Sequence, residues 1–419
     1  MQVDFANIRD KTPTALIALF FVVFIILLPR YTDNAKAWFM LLILSAFFYL
    51  LFNIKQVRQT DTIERIFLAA ILLNFAWLAF SHYFNGASDR GHAFLWSRHF
   101  YFVFVVPLFF LFRKIEIPDK IILLAILCSV ALSLGDMTID LVRGVDHRQQ
   151  GMNPNALGPI QLCLSGILFF FYLRPPDQRL RWLSLLGFLL ALSTVILSQS
   201  RSTWMTALFL CIFFVFYLAR SLSVGRRVAL ALGIIALLSS SYLLPVVKPR
   251  IDNVLANIPA YFANDDYRDK SRLGTFGTRM ELWKTGWKIF LEHPLVGVGA
   301  GNYQKMARQN HERYRVNQDV QNYKYVHNQY IATLATRGIP GLILLLIILF
   351  TPIYISMSKK SFDRESGIAN LAVILICLTY IVGNIPEDHF EGKSATMFVG
   401  IMLPLFLAKI SVARHRQAD

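Results

Sequence analysis

A histidine and an asparagine, His327 and Asn328, open the stretch VHNQYIATLATRGIPGL (Val326–Leu342), just ahead of a long apolar run. An imidazole titrates near neutral pH and can take a proton from an attacking hydroxyl. Taken alone, a histidine in this setting is more often structural. Two arginines give it a context. Arg201 lies in LSQSRSTW (Leu197–Trp204), where only Gln199, Ser200, Arg201 and Ser202 separate two apolar blocks. Arg279 lies in GTRMELWKTGWKIFLEHP (Gly277–Pro294). Guanidinium groups pair with phosphate oxygens by parallel hydrogen bonds, so both could hold a diphosphate, although a lone arginine at such a place is ordinarily just solvated. Further polar candidates are Arg148, Gly151 and Asn155 in DHRQQGMNPNALG (Asp146–Gly158), which by spacing alone is a plain connector. Arg90 and Arg98 stand near His92 and His99, and PEDHFEGK (Pro386–Lys393) holds Glu387, Asp388 and His389. The chain has no Ser-His-Asp spacing, no HExxH run, no metal-ligand cluster at a recognisable spacing and no Asp-x-Asp pair, so neither a metal nor a cofactor is expected.

These residues hang on an apolar frame. Only 16% of the 419 residues are charged, against about 25% in soluble domains, and apolar blocks recur along almost the whole length. The expected fold is therefore an all-α polytopic membrane protein. Twelve apolar cores can be delimited: Ala15–Leu28, Ala37–Phe52, Ile66–Phe80, Phe100–Phe112, Ile121–Leu134, Gly158–Leu173, Trp182–Ser198, Thr203–Leu218, Val228–Leu244, Gly341–Ser356, Ile368–Val382 and Met397–Ile410. The first is read as a retained span rather than a cleaved leader. The four cysteines all fall inside apolar blocks and read as small hydrophobes. The net charge of +16 reports orientation and anionic partners; nucleic acid is not expected.

Basic residues are unequally shared between the two sides. Alternate ends and loops carry twenty Lys or Arg, from Arg9 and Lys11 through Lys409, Arg414 and Arg416, whereas the opposite short loops carry eight. The richer side should face the cytoplasm, with both termini. The chain then divides into spans 1–9 (residues 1–245), one large outer loop (246–340), and spans 10–12 with a cytoplasmic tail (341–419). Roughly ninety residues between spans are too many for a slack connection, so the loop should be a folded functional element. It holds fourteen Lys or Arg against eight Asp or Glu, interleaved with aromatic residues. That mixture suits a phosphorylated, sugar-bearing ligand, and equally a surface resting on anionic lipid. Within it, Thr278 and Glu281 match a capping box, which predicts a helix starting there with Arg279 at its first position and Met280, Trp283, Trp287 and Phe290 or Leu291 on a membrane-facing side.

Four stretches in order, RQQGMNPNALG, LSQSRSTW, GTRMELWKTGWKIFLEHPLVGVGAGNY and HNQYIATLATRGIPG, resemble the bacterial lipopolysaccharide O-antigen ligase family and, more broadly, the O-antigen ligase/polymerase superfamily. The resemblance implies a GT-C-like, metal-independent glycosyltransferase at the periplasmic face of the inner membrane. Its donor would be a glycan on undecaprenyl diphosphate, its acceptor a sugar of lipid A–core, and membrane lipids its surroundings. It places His327 as the base, Arg201 and Arg279 on the diphosphate, and Asn328 in the same H-N-x9-G pattern, with Arg148 and Asn155 matching a weaker one; Arg90 and Arg98 join them as candidate substrate-binding residues. Direct displacement would invert the anomeric centre. An O-antigen or exopolysaccharide polymerase would use the same donor. A polysaccharide flippase would instead need charges inside its spans, and a non-catalytic scaffold would give His327 and the arginines no task.

Overall fold

The computed structural model describes residues 5–144, 153–218, 223–240, 248–263, 266, 268, 274–358 and 367–416. Among these there are helices and turns but no strand. In chain order the α-helices are α1 (Phe5–Leu27), α2 (Thr32–Phe52), α3 (Thr62–Phe84), α4 (Asp89–Phe94), α5 (Phe100–Val103), α6 (Val105–Lys114), α7 (Asp119–Val142), α8 (Pro154–Leu173), α9 (Arg181–Leu197), α10 (Arg201–Leu218) and α11 (Val224–Ser240). They continue with α12 (Lys248–Ala263), α13 (Gly274–Glu292), α14 (Tyr303–Asn310), α15 (Gln329–Met357), α16 (Gly367–Gly383) and α17 (Lys393–Arg416). Nine helical rods among the described residues are long and apolar enough to cross a membrane, one of them the continuous run Asp89–Lys114, and Pro13–Leu27 and Gly367–Gly383 are shorter apolar helices. With so little charge, the pattern is that of a multi-pass membrane protein.

The rods pack into one bundle. α17 and α8 are apolar on nearly every side and lie buried at its centre, α17 against α6 and α8 against α9 and α16. The outer rods keep large apolar side chains exposed, such as Phe47, Leu51 and Phe52 on α2 and Leu72, Leu73 and Phe80 on α3. Water would not tolerate so much bare apolar surface, whereas lipid does. Helix ends follow local chemistry. At α3 the Asp61 carboxylate accepts from Glu64 N at 2.7 Å while Glu64 accepts from Asp61 N at 3.2 Å, a reciprocal cap.

The segment from α13 to the start of α15 has its own small core, built from Leu282, Ile289, Val298, Tyr303, Val316, Val320 and Val326 among others. It is tied to the bundle at a kink. Gly338 (φ 65°, ψ −166°) breaks α15 between a short leading piece and the long apolar rod. A side chain there would collide with the Leu295 carbonyl, since a Cβ would come within 2.3 Å of its oxygen. The close approach lets Ile339 N donate to Pro294 O at 2.9 Å and Val298 N donate to Ala335 O at 2.9 Å.

Candidate functional site

The leading piece of α15 starts with an Asn cap. Asn328 Oδ1 accepts from Tyr330 N and Ile331 N, both at 3.0 Å, and is thereby occupied with the helix. The residue is buried, and its side chain sets where α15 begins. Immediately before it, His327 takes a left-handed backbone (φ 55°), an uncommon conformation for a residue with a Cβ and one that clusters at functional sites. The surroundings hold it there. His327 N donates to Asp388 Oδ2 at 3.2 Å, and its carbonyl accepts from Trp283 Nε1 at 2.8 Å.

The decisive partner comes from the turn between α16 and α17. Glu387 Oε2 lies 2.9 Å from His327 Nδ1. Its other oxygen, Oε1, accepts from Asn155 Nδ2 at 2.7 Å and from the Arg279 guanidinium. One buried carboxylate therefore joins α8, α13 and the approach to α15. The turn carrying it is pinned on both flanks: Gln329 N donates to Asn384 O at 2.9 Å and to Glu387 O at 3.1 Å, and Phe390 N donates to Gln329 Oε1 at 2.9 Å. Phe390 itself plugs into the bundle between Phe102 and Tyr380.

Arg201 begins α10 and reaches the same end of the molecule, where its Nη2 donates to Thr275 Oγ1 at 2.6 Å, one turn ahead of Arg279 on α13. The residue before it continues the network, as Ser200 Oγ donates to Asn155 Oδ1 at 2.9 Å. Arg279 does not open its helix, as the capping-box reading predicted. α13 starts at Gly274, and Glu281 is drawn inward, where it accepts from Tyr261 OH at 2.8 Å and Asn317 N at 3.1 Å. Buried donors claim the Glu281 carboxylate ahead of a cap, so Arg279 offers a guanidinium from the second turn and no free backbone N–H.

Arg98 and Arg90 take up internal positions. Arg98 Nη1 lies 2.5 Å from both Tyr325 OH and Glu391 O, with its guanidinium 4.2 Å from the centre of the Phe94 ring, so it braces the wall of the site. Arg90 bonds Gln304 on α14, outside the cluster around Glu387. Arg148 lies outside the described residues. A cavity of about 130 Å³ opens beside the cluster, lined by Asn153, Asn155, Tyr325, His327, Glu387 and Asp388 among others.

Electrostatics follow from the packing. Burial alone would lower the His327 pKa, but its hydrogen bond with Glu387 and the charges of Asp388 and Glu387 outweigh that, leaving it above the usual imidazole value. Glu387 moves the opposite way: burial pushes it up, and the bond to His327 and the Arg279 charge hold it below the ordinary carboxylate range. Asp388 is raised to about 6, first by burial. His389, beside them, is lowered to about 4 by burial. With Nδ1 held by an ionised carboxylate, Nε2 is the ring nitrogen left to exchange a proton with a substrate.

His327, Glu387 and Asp388 also place one ligand atom each within 4.8 Å of one another, a grouping that no local motif announces because sixty residues separate the histidine from the first acid. A divalent cation there would have to break the bond between His327 Nδ1 and Glu387 Oε2 and sit beside the Arg279 guanidinium held by the other oxygen, so the donors fit the existing hydrogen bonds better than an ion. No local pattern in the chain gives Glu387 and Asp388 a role. The available signal was weak: three acids and a histidine in a short polar turn between two apolar blocks.

Comparison with known proteins agrees with the resemblance. Residues 186–346 match the model of the O-antigen ligase family, a stretch that holds Arg201, Arg279 and His327. The chain is also similar to an uncharacterized protein of Haemophilus influenzae, 24% identical over 290 residues, which covers 66% of this chain and 68% of that one.

Proposed function

We propose that the protein is a glycosyltransferase of the O-antigen ligase type. It moves a glycan from undecaprenyl diphosphate to a hydroxyl of lipid A–core at the periplasmic face of the inner membrane. The single observation that carries the reading is Glu387, which holds His327 through Nδ1 and Arg279 through its other oxygen, so a base and a phosphate-binding cation share one anchor. The family match supports a lipid-linked glycan as the substrate class.

In this scheme the Glu387 carboxylate keeps the proton on Nδ1, and His327 Nε2 takes the proton of the acceptor hydroxyl, a contribution of roughly 10²–10⁴ in rate. The oxygen attacks the anomeric carbon as its bond to the diphosphate breaks, and the centre inverts. Arg201 and Arg279 neutralise the charge that builds on the departing diphosphate, which is why no metal is required. Engaging the diphosphate also draws Arg279 away from Glu387. The bias of basic residues, read as twelve spans with both termini in the cytoplasm, supports an outer-side position for this end of the bundle.

The test is genetic and then enzymatic. Deleting the gene and running surface lipopolysaccharide on a gel should remove the ladder while carrier-linked glycan accumulates. Core bearing a single repeat would mean a polymerase, and carrier-linked units trapped inside would mean a transporter. With purified protein, His327→Ala should abolish the base contribution, Arg201→Ala and Arg279→Ala should weaken donor use, and transfer should persist in chelator. Wild-type turnover in all three variants would sink the mechanism, and a stringent need for a divalent ion would sink its metal-free form.

A further inference from the structure

The inner face of α13 packs through Leu282, Thr285, Gly286 and Ile289. A separate stripe, Trp287, Leu291 and Leu295, repeats every fourth residue past the helix end and is 46, 55 and 67% exposed. Its far end meets the bundle: Ile339 N donates to Pro294 O, setting Leu295 beside the start of the apolar rod of α15, where Ile339 and Ile343 are 43 and 52% exposed. On the neighbouring α3, Trp77 Nε1 donates to Arg337 O at 2.7 Å, and Phe80 and Phe84 stack at 5.6 Å with both rings exposed. The stripe is thus continuous with the surface that the spanning helices turn toward lipid. The exposed Lys288 stands at its edge, where an ammonium can reach headgroup phosphate while its stem lies on apolar surface. A tryptophan at such a boundary matches the aromatic belt of membrane proteins.

We propose that Trp287, Leu291 and Leu295 seat α13 in the outer leaflet of the bilayer, as an interfacial helix lying along the membrane rather than crossing it. Two contacts link this docking to the site. Trp283, one turn before Trp287, bonds the His327 carbonyl, and Arg279, one turn earlier still, bonds Glu387. The lipid surface therefore braces both halves of the His327–Glu387 pair through a single helix. The link to catalysis rests on the proposed glycan transfer; the docking itself does not.

The docking is read without any activity. The four natural cysteines are replaced, a spin label is placed at Leu291→Cys or at Lys288→Cys, and the protein is reconstituted into vesicles of phosphatidylethanolamine and phosphatidylglycerol. The label at 291 should collide with dissolved oxygen and be shielded from an aqueous nickel chelate, and the label at 288 should show the reverse. A second reading keeps the natural cysteines: the emission lost on Trp287→Phe should be quenched by brominated lipid and not by iodide. Equal nickel access at both positions, or shielding of 291 from both reagents as a second copy or a soluble partner would cause, overturns the docking. For the link, Trp287→Ser/Leu291→Ser/Leu295→Ser should lower transfer from a bilayer-borne donor by roughly tenfold or more, as displaced catalytic groups do, with unchanged melting in detergent. Unchanged transfer by that triple variant overturns the link alone.

Discussion

Replacing Glu387 by glutamine removes one oxygen's worth of charge and almost no volume, and the surroundings dictate how the new amide must lie. Two donors, Asn155 Nδ2 and the Arg279 guanidinium, converge on Oε1. The amide oxygen must stay with them, since an NH₂ facing two donors would leave all three unsatisfied. The NH₂ group then turns to His327 Nδ1, formerly 2.9 Å from a carboxylate oxygen. A donor at that place forces Nδ1 to accept, so the imidazole proton moves to Nε2 and the lone pair needed by the base disappears. The expected loss in kcat is therefore at the top of the range for general-base catalysis, about 10³–10⁴, or about 4–5.5 kcal/mol of barrier. It should equal the loss in His327→Ala, and the double variant should be no worse than either single one, because both remove the same function. The assay is transfer of labelled glycan from polyprenyl diphosphate to purified acceptor, with melting in detergent as the check on folding. A Glu387→Gln rate within about threefold of wild type, or a full additional loss on top of His327→Ala, would refute the tautomer argument.

Because neighbouring acids raise the His327 pKa, kcat/KM should fall as pH drops through a value above the ordinary ~6.5 of imidazole, since the base works only when deprotonated. Asp388→Asn keeps an acceptor for His327 N but removes a charge that raises this pKa, so the acid limb of the pH–rate profile should move to lower pH. Arg337 is fully buried and lies 3.2 Å from Glu391, which also pairs with His99 at 3.1 Å. Arg337→Ala should cost about 3–5 kcal/mol in unfolding from mixed detergent micelles, because Glu391 stays buried with half its compensation gone. Gly338→Ala puts a methyl against the Leu295 carbonyl in a left-handed backbone and should destabilise the fold by at least roughly 1–3 kcal/mol in the same measurement.

What could be read from the chain alone was whatever depends on neighbours in sequence. Helix type and approximate extent follow from apolar runs, and the break at Gly338 and Pro340 follows from glycine and proline chemistry. His327, Arg201 and Arg279 could be named because each sits in a short stretch with family character. The same locality explains the misread cap and the long-range contacts that went unseen. Thr278 and Glu281 have the spacing of a cap, yet Glu281 is claimed by Tyr261 and Asn317, partners twenty and thirty-six residues away. Asn328 sits next to the histidine, and its cap on the start of α15 shows only once two backbone N–H groups of that helix are seen to meet its Oδ1. Arg98 likewise has partners far along the chain, Tyr325 and the Glu391 carbonyl in the turn before α17. Glu387 carried no pattern at all. Its role arises only when the packing of α16 and α17 against α8 and α15 brings its carboxylate to His327, Arg279 and Asn155, which lie 60, 108 and 232 residues away along the chain. Periodicity and turn chemistry are local properties and leave a mark in the sequence. The pairing of a buried charge is a property of the assembled bundle, where low dielectric makes each partner matter and distance along the chain does not.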